Sequence, residues 1–97
     1  MHVKIHPSYR IVVAVADSDL LGKKFEEGKR QLDVAERFYK DQEIGEEDLE
    51  GLFDKYNRED ATFNIVGKHA VTTAIKAGIV SESDVGHVQG VPFILLF

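Results

Sequence analysis

The run Tyr9-Arg10-Ile11-Val12-Val13-Ala14-Val15-Ala16 is β-branched and almost unbroken by polar residues. A strand without a polar face has to lie inside a sheet that is covered on both sides. That demand sets the architecture, because other strands must flank the run and further elements must lie above and below it. Val3 and Ile5, alternating with His2, Lys4 and His6, supply one neighbour. His6-Pro7-Ser8-Tyr9 reads as the β-turn that joins the two into a hairpin.

Further strands are expected at Leu32–Val34, Thr62–Val66, Val85–Gln89 and Val91–Phe97, the last two separated by Gly90. Two stretches carry helical spacing instead. In Glu46–Asn57, Leu49, Leu52, Phe53 and Tyr56 follow the i, i+3, i+4, i+7 rule, and Glu46, Glu47 and Asp48 complement the helix dipole in the first turn. In Lys68–Ala77, Ala70, Val71, Ala74 and Ile75 form the side expected to be buried, with Gly78 as the stop. The opposite side carries His69, Thr72, Thr73 and Lys76. Asp17-Ser18-Asp19 offers N-cap chemistry ahead of Leu20-Leu21 and Gly22, which predicts a single helical turn. Lys23–Arg30 is charged, with Phe25 as its one anchor and Gly28 as a turn. The expectation is an α+β fold: an antiparallel or mixed sheet of about five to six strands, two main helices and one short helix, in one domain over residues 1–97.

Composition narrows the function classes. The 97 residues contain no cysteine, which removes disulfides, thiolate metal sites and thiol nucleophiles. No segment approaches the roughly 20 apolar residues of a membrane span, and the N-terminus has no apolar core of signal length, so a cytoplasmic protein without membrane contact is expected. The net charge is −5, concentrated in residues 41–60, where nine Asp/Glu face two Lys/Arg. Such a balance argues against strong non-specific binding to nucleic acid while leaving room for a local phosphate site.

That site is expected at Asn64-Ile65-Val66-Gly67-Lys68-His69-Ala70-Val71, where an apolar run breaks at a glycine and restarts with helical spacing. A strand that feeds a helix through glycine leaves backbone N–H groups at the helix start, and these favour an anion. Gly67, Lys68, His69, Thr72 and Lys76 are the candidate anion-binding residues. The second glycine and the Lys-Ser/Thr ending of a P-loop are absent. Asp17 and Asp19 at the end of the central strand, with His69 or His87, are the candidate acid–base groups. His2 and His6 lie about 13 Å apart along a strand and cannot share a metal ion; neither a metal nor a cofactor is expected. The apolar ending Val91–Phe97 must be covered, by neighbouring strands or by a second copy of the chain.

Ala14-Val15-Ala16-Asp17, Leu21-Gly22-Lys23, Leu32-Asp33-Val34, Arg37-Phe38-Tyr39, Asn64-Ile65-Val66-Gly67 and Gly90-Val91-Pro92, in that order, resemble the small archaeal family catalogued as domain of unknown function 424. The resemblance spans nearly the whole chain. It implies an archaeal source more than an activity, and it assigns no ligand residue. The family pattern has a histidine after Gly-Val-Pro where this chain has Phe93, which weighs against chemistry at that position. The functional expectation is a non-catalytic binding or adaptor module linked to RNA or translation assemblies. The alternatives are a small enzyme using the acid–base groups above, or a structural homo-oligomer formed through the C-terminal strand.

Overall fold

The computed structural model describes residues 1–96. Its strands are β1 (His2–His6), β2 (Val12–Ala16), β3 (Lys24–Glu27), β4 (Arg30–Asp33), β5 (Gln42–Glu43), β6 (Thr62–Val66), β7 (Gly86–Val88) and β8 (Val91–Leu96). Its helices are α1 (Glu36–Tyr39), α2 (Glu46–Arg58) and α3 (Lys68–Lys76). Six strands form a mixed sheet in the order β5-β1-β2-β6-β8-β7, and β3 and β4 pair as a separate hairpin. Within the sheet β2 and β6 run parallel, and every other pair is antiparallel. The fold is α+β, as the sequence leads one to expect.

Residues of β2 alternate between two cores. Val13 and Val15 face α2 and α3, in a cluster with Phe63, Ile65, Ile94, Leu49 and Phe53. The rings of Phe53 and Phe63 meet edge to face there, with centroids 5.8 Å apart. Ala14 and Ala16 face the opposite way, towards Leu32, Val34 and Tyr39 from the hairpin segment and α1. The two faces of this strand are thus both covered, with the larger side chains on the helix side.

Several expected boundaries move. The ladder between β1 and β2 begins at His6↔Val12, so Tyr9, Arg10 and Ile11 belong to the connection, and Tyr9 is fully exposed. Pro7 has no amide to extend the ladder. Arg10 turns away instead to pair with Asp60 at 3.2 Å. The charged segment anchored by Phe25 contains a strand, β3, beyond those expected; Phe25 pairs with Leu32 across the hairpin. Phe38-Tyr39 sits in a one-turn helix that was not expected, and Tyr39 is buried. The turn after Asp17 is a 3-10 helix, Ser18–Leu20.

In the C-terminal strand Val91–Phe93 pair with β7 and Phe93–Leu96 pair with β6. Of the two covers considered for this segment, neighbouring strands of the same chain supply the one observed. The open edge that self-pairing required is closed along the first half of β8. Phe97, the last residue of the expected strand, lies outside the described residues.

Candidate functional site

The parallel register Ala16↔Val66 ends β2 and β6 at one level, and both chains leave the sheet side by side. The Asp17 amide donates to the Val66 carbonyl at 3.0 Å, and the Gly67 amide donates to the Pro92 carbonyl at 2.9 Å. The Asp17 side chain therefore meets the first turn of α3. Its Oδ2 accepts the His69 N–H at 3.0 Å and its Oδ1 accepts the Ala70 N–H at 2.8 Å. Asp17 is 5% exposed. Gly67 has φ +108°, and a Cβ there would lie 2.6 Å from Asp17 Oδ2, so both the backbone conformation and the space demand glycine.

This arrangement narrows the expected anion site. The His69 and Ala70 amides already hold an anion, the chain's own Asp17, and are not free for an added one. It also relocates the capping role expected of Asp17. No side-chain cap joins Asp17 to the 3-10 helix that follows it. Its carboxylate caps a helix about 50 residues further along the chain.

Lys76 is likewise committed. Its Nζ lies 3.2 Å from Glu46 Oε1 and 3.5 Å from Glu50 Oε1, which fastens α3 to α2. The hydrogen bond that Lys76 donates to Glu46 first, then the charges of Glu46 and Glu50, hold the ammonium's pKa above its ordinary range. Thr73, expected on the open side of the helix with Thr72, is 2% exposed. Its Oγ1 donates to the His69 carbonyl at 2.8 Å, which pins the first turn from inside.

A cleft of about 600 Å³ opens in front of this turn. Asp17, Ser18 and Asp19 form one wall; Ile44, Gly45 and Glu46 at the start of α2 form a second; Lys68, His69 and Thr72 form a third. Sequence reading missed the contribution of α2, because nothing local brings residues 44–46 to the ends of β2 and β6. Among the described residues, no hydrogen bond or ion pair engages the side chains of Lys68, His69 or Thr72. Three of the five candidate residues thus reach the cleft with polar groups unspent, Gly67 shapes the turn, and Lys76 is tied elsewhere.

The acid–base groups divide in the same way. Asp19 and His69 share the cleft. Asp17 is held by the helix amides, and His87 lies on β7 beside a separate groove. His6 is structural: its Nε2 is 2.8 Å from the Phe38 carbonyl and its ring stacks on Phe38 at 4.4 Å. Phe93 packs in the hairpin-side core, where a Cβ on Gly86 would come within 2.8 Å of its ring. Position 93 therefore faces away from α3 and is not part of the cleft.

Comparison with known proteins agrees with this fold. A crystal structure described as an uncharacterized conserved protein from Methanopyrus kandleri matches with a TM-score of 0.80 and 24% sequence identity, over 99% of this chain and 92% of that chain. At that identity the likeness is one of fold. No match was found among curated proteins. The family described as protein of unknown function (DUF424) matches residues 6–97, nearly the whole length, and the chain belongs to that family.

Proposed function

We propose that this chain is a binding module that takes an anionic group, such as an RNA phosphate, on the side chains of Lys68, His69 and Thr72. The carrying observation is the division of labour at the start of α3. The fold commits the His69 and Ala70 amides to Asp17 and Lys76 to α2, yet leaves an ammonium, an imidazole and a hydroxyl without partners among the described residues on one cleft wall. A cleft of this volume falls within the range of small-ligand sites.

Titration with a short single-stranded oligoribonucleotide at about 50 mM and about 200 mM salt tests the reading, since phosphate contacts make affinity salt-dependent. Lys68→Ala is expected to weaken binding several-fold and to reduce the log–log salt slope by about 0.7, the share of one contact on a single strand. Lys76→Ala is expected to change little. Absence of binding at the lower salt, or binding indifferent to Lys68→Ala, overturns the proposal.

The placement of Asp19 and His69 in one cleft supports a second reading, a small acid–base enzyme. It predicts turnover of a phosphoester or acyl substrate that is lost with both His69→Gln and Asp19→Asn. Turnover unaffected by either substitution removes it.

A further inference from the structure

The concave surface around Lys68 does not end at the cleft. A groove of about 370 Å³ runs along the other side of the same helix turn, and Lys68 and Thr72 border both. Its walls are apolar, formed by Val71 and Ile75 of α3 with Val85 and Pro92 from the β7–β8 region. At its rim stand the exposed imidazole of His87 and the carboxylate of Glu82. Resting on the phosphate reading above, we infer that this groove seats the base of the nucleotide whose phosphate lies on Lys68.

The chemistry of the walls selects that occupant. Apolar walls and an imidazole suit the face of a heteroaromatic ring, and ring stacking is the way single-stranded nucleic acid is generally held. The one cation common to both concavities is Lys68, so an anion there and a ring in the groove belong to one molecule. Glu82 accepts hydrogen bonds and offers none when ionised. A base whose edge presents adjacent N–H donors, as guanine does, fits beside it; uracil, whose single N–H lies between two carbonyls, does not. The same chemistry comes from a free nucleotide or from a nucleotide within an RNA strand.

Amide chemical-shift titration of the ¹⁵N-labelled full chain separates the possibilities. Ribose 5-phosphate, GMP, UMP and a G-containing single-stranded RNA serve as probes. Ribose 5-phosphate is expected to move the Lys68 and His69 amides alone. GMP should move these together with Ile75, Val85 and His87, and bind roughly tenfold more tightly, the lower end of what base stacking supplies. UMP should fall between them. His87→Ala should bring GMP close to ribose 5-phosphate, with the unchanged Lys68 response reporting that the variant is folded. If the RNA reproduces the GMP footprint with higher affinity, the nucleotide comes from a strand; if GMP alone binds, it is free. Equal binding of GMP and ribose 5-phosphate without shifts at Val85 and His87 overturns the groove while sparing the Lys68 site. Failure of every probe to bind overturns both.

Discussion

The two helices that border the cleft start in opposite ways. At the start of α2, Gly45 supplies no side-chain cap, and Glu46, Glu47 and Asp48 place negative charge in the first turn. At the start of α3 there is no acidic residue in the first turn, and the negative charge arrives from Asp17 on β2. One helix end is stabilised by its own sequence, through exposed carboxylates; the other is completed by the tertiary fold, through the buried Asp17. The contrast shows how α3 fixes the side chains of its first turn: that turn is bolted to the central strand, whereas the first turn of α2 is complemented by screened surface charge.

Four substitutions test the contrast, in descending order of expected effect. Gly67→Ala forces a methyl group against the Asp17 carboxyl at φ +108° and should cost about 4 kcal/mol. A thermal melt or urea titration within 1 kcal/mol of wild type would mean that the turn is not bound as described. Asp17→Ala leaves the buried Ala70 amide and the half-buried His69 amide without an acceptor and should cost about 3 kcal/mol, with Asp17→Asn recovering part of it. Should Asp17→Ala prove no worse than Glu47→Ala at the start of α2, the distinction between the two helices is lost. Thr73→Val removes one buried hydroxyl bond at similar volume and should cost about 1 kcal/mol by denaturant unfolding.

Glu46→Gln should have the smallest effect, a change in titration rather than in stability. Lys76 is raised above its unfolded-state pKa, so its pairing with Glu46 and Glu50 is fully present below the ordinary lysine value near 10.5 and is lost as pH rises through the folded pKa. NMR titration of the Lys76 Nζ should show its pKa falling in Glu46→Gln, with no displacement of the His69 and Ala70 amide resonances. Displacement of those amides would show that the two helix starts are coupled through the clip.

Legibility from sequence follows the range of the interactions. The runs around Val13 and Ile65 and the periodicity of Leu49, Phe53 and Tyr56 are local patterns, and they place β2, β6 and α2 within a few residues. The strand β3 is hidden because, of its four residues, Phe25 alone is half-buried and the rest is exposed charge, so neither alternation nor an apolar run marks it. At the site, the glycine break at 67 was legible, since a strand-to-helix junction is local. The partner of its amides was not: Asp17 is brought there by parallel strand pairing, and a capping carboxylate gives no sign of which helix it caps. Thr73 shows the same limit, because an outward and an inward hydroxyl look alike until the sheet is in place.

The bond from Asp17 to α3 has a kinetic consequence. A nine-residue helix is too short to persist by itself in water. Its keystone lies about 50 residues upstream and is delivered only when β2 and β6 have aligned. The surface bearing Lys68 and His69 therefore depends on the pairing of β2 with β6, and a chain without that pairing lacks the bonds that fix it. Whatever docks there recognises the native state alone and, by mass action, protects the entire molecule against unfolding.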